Sequence, residues 1–201
     1  MKTIALYALD TMADWEYGYF VAGVAMARQS DPDRYRLTVV SDGGGEVTTA
    51  GGIRILPDGD VADLDVGSLA ALVLPGGDTW GEGHAAVLEL ARTAIDRAIP
   101  VGAICGATLG LARTGALNAL LHTSNALEFI SGATEYTGSE HYRAARVVSD
   151  HSLVTAPGTA ALQFTKAMFE VLELFPEPII EAWYGLYSTG ERKFYDQLVA
   201  G

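Results

Sequence analysis

The 201-residue chain has one cysteine, Cys105, so no intrachain disulfide can form. Thiol usage this sparse fits a reducing compartment, and a cytoplasmic location is expected. Basic residues are scarce: 13 Lys and Arg stand against 25 Asp and Glu, a formal net charge of −12. A surface of that sign repels phosphate backbones, so no nucleic-acid partner is expected. No run of about 18 apolar residues occurs, which argues against a membrane span or a membrane partner. The apolar start, residues 4–9, is stopped by Asp10 and is too short for an export signal. His84, His122, His141 and His151 form no pair with zinc-ligand spacing, so no metal is expected. Gly43-Gly44-Gly45 and Gly51-Gly52 lack dinucleotide spacing and a Gly-Lys-Ser/Thr ending, and no cofactor is expected. Internal repeats and low-complexity tracts are missing too.

What is present is a well-provisioned core. Hydrophobic residues make up 49% and charged residues 19% of the chain. Length and composition predict a single domain over residues 1–201. Residues 4–9 read as a buried strand and 14–28 as a helix, with Trp15, Tyr19, Ala22 and Met26 at helical spacing beside Phe20 and Val24. Thr11, three residues before Asp14, is read as a capping box. Residues 35–40 are strand-like, and 46–49 with 53–56 form a small β excursion. The pattern repeats with strand 69–74, helix 82–98, strand 100–104 and helix 107–113, closed by Gly115. Residues 126–131 read as a helix with Asn125 as N-cap. A hairpin spans 144–148 and 153–156, a helix fills 159–174, and a helical extension occupies 175–201. Continuously apolar strands alternating with helices predict an α/β fold, a flavodoxin-like three-layer sandwich with a mostly parallel sheet. Sites in such sheets lie at the carboxyl ends of strands, where Asp10–Glu16, Gly76–Trp80 and Cys105-Gly106 all fall.

Cys105 stands where a strand meets a helix, among Gly102, Ala103, Gly106 and Ala107. Small neighbours suit a nucleophile elbow, written here Gly-Ala-Ile-Cys-Gly-Ala. The helix N-terminus would favour a thiolate and offer N–H groups to an oxyanion. A buried cysteine acting as a small hydrophobe explains the same motif equally well. Gly77 could supply one oxyanion donor and Gly106 the other, although a strand-ending turn also explains Pro75-Gly76-Gly77. Glu16 either caps its helix or reaches Cys105; beside a thiolate it would stay protonated. His122 is the histidine best placed to approach the site, with a structural role as the alternative. Asn125, Trp15 and Asp78 are the remaining candidates to line it.

Together these residues resemble the ThiJ/PfpI superfamily, whose fold is like that of class I glutamine amidotransferases. The resemblance covers about residues 3–174. It rests on Asp14-Trp15-Glu16, Leu72 to Gly77, Ala103 to Ala107, and Val154 to Thr159, four segments in the right order. It implies that Cys105 is the nucleophile or an oxidisable thiol, that Glu16 is its carboxyl partner, and that Gly77 and Gly106 form the oxyanion hole. It also implies a homodimer. The departures are specific. Gly106 stands where a protease-like branch has His, and the His-x-Glu of the glutaminase branch is absent. A third branch has His twenty positions after the cysteine, where this chain has Asn125.

The function this implies first is a cysteine-dependent enzyme acting on a small-molecule electrophile. A 2-oxoaldehyde carbonyl (glyoxalase or deglycase chemistry, a stress-protective role) or an isonitrile-type carbon would suit it. A redox-responsive stress protein or chaperone with an oxidisable Cys105 is the first alternative. An intracellular protease or amidase is the second.

Overall fold

A computed structural model describes residues 1–200. The chain runs β1 (Lys2–Tyr7), α1 (Asp14–Ser30) and β2 (Tyr35–Ser41). A small two-stranded sheet of β3 (Val47–Thr48) and β4 (Arg54–Ile55) and the short β5 (Gly59–Asp60) precede β6 (Leu69–Leu74). Then come α2 (Ala85–Asp96), β7 (Val101–Ile104), α3 (Gly106–Ala112) and α4 (Leu127–Ile130). The hairpin of β8 (Val148–Asp150) and β9 (Leu153–Ala156) leads into α5 (Ala161–Val171), α6 (Glu177–Thr189) and α7 (Arg192–Ala200).

The main sheet has seven strands in the order β5-β2-β1-β6-β7-β9-β8. Every neighbouring pair is parallel except β8 with β9. This is the flavodoxin-like α/β sandwich the sequence predicts. β6, β7 and β9 are buried at every position, because helices cover both faces and leave no wet side for polar residues. Alternate side chains feed two cores. Ala5, Tyr7, Leu72 and Leu74 meet Trp80, Val87, Leu88 and Leu111 on the face covered by α2 and α3. Ile4, Leu6, Ala71 and Val73 meet Phe20, Val24, Phe164 and Phe169 on the face covered by α1 and α5. Among the described residues no helix is long and apolar enough to cross a membrane.

Several local expectations are corrected. The first strand ends at Tyr7, its last residue paired with β2, although Ala8 and Leu9 stay buried. Thr11 caps nothing. It adopts φ 65°, and its hydroxyl accepts the Asp78 N–H at 2.7 Å, while Ala13 is the N-cap of α1. The stripe of α1 containing Trp15 and Met26 faces outward, at 65% and 45% exposure. The helix buries Glu16, Phe20, Gly23 and Val24 instead. Gly23 decides this, since a Cβ there would lie 2.1 Å from the ring of Phe169. α2 begins at Ala85 rather than 82, because Gly83 and His84 both take left-handed backbone. Ala126, not Asn125, occupies the N-cap of α4. In the helical extension, Trp183 packs on Phe169 with ring centroids 4.8 Å apart, and the Tyr184 hydroxyl accepts from Gln163. Tyr187 and Tyr195 remain about half exposed.

Candidate functional site

The strand order reverses between β1 and β6, the point where an open α/β sheet leaves a crevice at its carboxyl edge. Four connections converge there. The turn after β1 delivers Glu16, β6 runs into Pro75-Gly76-Gly77, β7 ends at Cys105, and β9 ends at Pro157-Gly158.

Cys105 has φ 57° and ψ −122°, a conformation that is costly for a residue with a side chain. It is held there from both sides. Its N–H donates to the Ala156 carbonyl at 2.9 Å. Its carbonyl accepts the Thr108 N–H at 3.1 Å and the Thr108 hydroxyl at 2.6 Å. Thr108 is itself fixed by Ser124 at 2.7 Å. The strained turn is the expected nucleophile elbow, and it leaves the thiol partly accessible.

Glu16 is only 2% exposed, far below what a capping carboxylate on a surface helix would show. Its Oε2 accepts the Gly76 N–H at 2.6 Å, and its carboxyl lies beside the Cys105 thiol, since a Cβ on Gly158 would touch Oε1 and Sγ alike. Burial raises the Glu16 pKa against the pull of the Gly76 N–H and of the thiol. The thiol is also pushed up, first by burial and then by the Glu16 carboxylate, while the Asn125 amide and Gly106 N–H pull it down. The dipole of the following helix would by itself lower the thiol, as expected from the sequence. α3 has only seven residues, and burial beside an acid outweighs it. The influence has opposite signs on the two partners: the Glu16 carboxylate raises the thiol, whereas the thiol pulls Glu16 down and only burial raises it. When Glu16 carries a proton, the like-charge repulsion on a thiolate disappears and the carboxylic acid can donate to it.

The pair is enclosed by Gly76, part of the Pro75-Gly76-Gly77 turn that the sequence marks for close backbone approach, and by Gly158, to which the sequence reading gives no role. A Cβ on Gly76 would lie 2.6 Å from Glu16 Oε2 and 3.1 Å from Cys105 Sγ. A Cβ on Gly158 would lie 2.8 Å from Glu16 Oε1 and 2.9 Å from Sγ. Both therefore mark close backbone approach. Gly158 sits in one of the four motif segments, which was the available signal. Gly77 and Gly106 abut: a Cβ on Gly106 would be 3.1 Å from Gly77 N and 2.5 Å from its carbonyl. The Gly106 N–H faces the sulfur. The Gly77 N–H donates to no acceptor among the described residues.

Asn125 is brought to the thiol. Its Nδ2 donates to Cys105 Sγ at 3.3 Å, and its Oδ1 accepts the Gly158 N–H at 2.9 Å. His122 is not. It is fully buried, with Nδ1 on the Leu120 carbonyl and Nε2 on the Tyr136 hydroxyl, both at 2.8 Å. A carbonyl only accepts, so Nδ1 carries the proton and Nε2 accepts from Tyr136. Burial lowers its pKa and keeps it a neutral structural imidazole. Asp78 lines a separate cleft of about 580 Å³ with Asp42, Thr79, Glu82 and His84. Trp15 borders a groove of about 530 Å³ that opens beside Gly158, with Tyr19, Arg146 and Tyr187 on its walls. Among the described residues no group of three His, Cys, Asp or Glu is placed to hold a metal ion.

Comparison with known proteins agrees with this geometry. The model of the DJ-1/PfpI family matches residues 2–171. A Bacillus subtilis protein described as the uncharacterized protease YoaZ is 38% identical over 98% of this chain and 96% of its own. A crystal structure of a thiJ/pfpI family protein from Bacillus anthracis superposes with a TM-score of 0.90 at 36% identity, covering 100% of this chain and 97% of that one. A DJ-1 superfamily protein from Agrobacterium tumefaciens follows at 0.82 and 34%, covering 96% and 100%. Relatives that align nearly end to end, together with a family match spanning all four motif segments, establish that this chain belongs to the DJ-1/PfpI family.

Proposed function

We propose that this protein is a cysteine-dependent enzyme acting on small carbonyl electrophiles, with 2-oxoaldehydes as the leading substrate class. The observation that carries the reading is the Glu16–Cys105 pair, a buried carboxyl and a thiol pressed together between Gly76 and Gly158. In the first step Cys105 Sγ attacks the aldehyde carbon and a C–S bond forms. The carbonyl π pair moves to oxygen, and that oxygen takes the proton from Glu16, giving a hemithioacetal. The Gly106 and Gly77 amides steady the developing charge. Glu16, now a carboxylate, takes the proton from the former aldehyde carbon and returns it to the adjacent carbon, while the hemithioacetal hydroxyl proton passes to the ketone oxygen, giving the thioester of a 2-hydroxy acid. Water then releases a 2-hydroxy acid, so the net change is addition of one water to the substrate. Stress protection is the role such chemistry would serve. A homodimer is proposed with it, by family resemblance.

The name of the Bacillus relative favours a second reading, peptide or amide hydrolysis. That chemistry must hand a proton to a leaving amine, a task usually given to an imidazole beside the thiol. Here Asn125 occupies that place and His122 is committed elsewhere. The small-electrophile reading therefore ranks first.

The test is turnover of methylglyoxal and of a peptide-amide panel by wild type, Cys105→Ala and Glu16→Gln. Loss of methylglyoxal turnover in both variants, with no peptide cleavage, supports the proposal. Peptide cleavage that depends on Cys105 promotes the second reading. If no substrate is turned over but mild peroxide adds oxygen selectively at Cys105, the protein is a redox-responsive one instead.

A further inference from the structure

The Asn125 amide has only one orientation available. The Gly158 N–H can only donate, so it must face Oδ1, and that forces Nδ2 toward the sulfur. The tie crosses between two separate connections, the loop after His122 and the turn after β9. Asn125 is therefore not a passive lining residue. We propose that Asn125 is the fixed hydrogen-bond donor to the Cys105 thiolate, and that its inability to titrate leaves Glu16 as the sole proton carrier of the site. The inference rests on the reading of Cys105 as the reacting thiol.

The surroundings of the sulfur support that proton inventory. α1 presents Glu16, the one titratable side chain seen to act on the thiol. The turns after β6 and β9 present Gly76 and Gly158, and α3 presents the Gly106 N–H. An amide donor stabilises S⁻ more than S–H, so it favours the attacking form without competing for its proton. When the sulfur attacks a carbonyl carbon, its lone pair becomes the C–S bond and Asn125 gives up nothing. The proton reaching the new oxygen comes from Glu16, and Glu16 is reprotonated by the attacking water when the sulfur leaves.

Asn125→Asp keeps an oxygen for the Gly158 N–H while replacing the donor to sulfur with a carboxylate, and Asn125→Ala, which removes the donor without adding charge, is its control. Iodoacetamide labelling of Cys105 against pH reads the thiol without any substrate. Asn125→Asp should raise the labelling midpoint by about one unit, seen as about tenfold slower alkylation at pH 7, with the melting temperature little changed. Asn125→Ala should move the midpoint the same way. Asn125→His should add an extra ionisation in the imidazole range to the pH profile of kcat/KM that the wild type lacks. In the wild type, the NMR signals of the Asn125 side-chain amide should shift with the same midpoint as alkylation. That readout stands even where a variant fails to fold. Wild-type midpoints in both Asn125→Asp and Asn125→Ala, or an amide signal indifferent to pH across the labelling midpoint, would overturn the proposal. Full turnover by Cys105→Ala would instead remove the functional reading on which it rests, while the alkylation data would still judge the contact.

Discussion

Replacing Gly158 with alanine separates a site built by close approach from one built by sequence coincidence. Gly158 does not lie in the left-handed region, so alanine can adopt its backbone. The added methyl would meet Glu16 Oε1 at 2.8 Å, Cys105 Sγ at 2.9 Å and Cys105 Cβ at 3.1 Å. All three lie inside the 3.4 Å at which ordinary contact begins. Relief requires the turn to lift or the acid and thiol to part, because Cys105 is anchored through Ala156 and Thr108. Overpacking of this kind costs about 1–3 kcal/mol. At this chain length each kcal/mol lowers the melting temperature by about 2–4 °C, so the variant should stay folded. Displacing a reacting group by up to about 1 Å can cost about a hundredfold in rate, so a loss of about ten- to a hundredfold is expected. The assay is iodoacetamide labelling followed by intact-mass measurement, where the single cysteine gives one signal, alongside methylglyoxal turnover. A Gly158→Ala protein that labels and turns over like wild type would refute the enclosure argument.

Four further outcomes are expected. Glu16→Gln should cost little stability at neutral pH. Burial raises the folded-state pKa of Glu16, so its carboxyl favours the fold only at low pH and loses that as pH rises through the raised value. Melting curves should show the variant gaining on the wild type as pH increases. His122→Phe should lower stability by about 1–3 kcal/mol by stranding Tyr136 and the Leu120 carbonyl, yet leave the Cys105 labelling midpoint unmoved. The wild-type His122 should also make stability fall as pH drops below about 6.5, because the unfolded chain binds the proton that the buried ring refuses. Gly18→Ala should raise the melting temperature by about 2–4 °C. Gly18 sits exposed within α1 with open space around its would-be Cβ, and alanine gains up to about 1 kcal/mol in a helix interior.

The architecture was legible because buried parallel strands leave an unmistakable trace: Leu69–Leu74 is apolar throughout, and Leu153–Ala156 is broken only by Thr155. Cys105 and Glu16 were legible because both lie just past such strands. Asn125 was seen as a site candidate but assigned a cap, since Asn before a helix ordinarily serves one; here two tertiary partners outbid the local role. The outward stripe of α1 misled for a related reason. Helical spacing identifies a face without saying which way it points, and the decision came from Phe169 filling the notch at Gly23, nearly 150 residues away. His122 could not be resolved from sequence at all. Its partners are a backbone carbonyl and a hydroxyl brought in by a loop with no regular period.

The docking of α6 has a consequence for the order in which the protein is made. Phe169 and Trp183 are each nearly inaccessible, and each covers the other. Lys166 of α5 bridges Glu170 on its own helix and Glu181 on α6, locking the seam. Until α6 leaves the ribosome, the side of Phe169 that Trp183 covers has no lid, while the sheet and α1 beneath it can already be assembled. Synthesis adds about 5–20 residues per second, so that window lasts on the order of seconds. During it the nascent chain carries an aromatic patch open to chaperones or to other nascent chains. A messenger truncated after α5 would leave the patch open permanently, a product suited to quality-control degradation even though its Cys105 turn is complete.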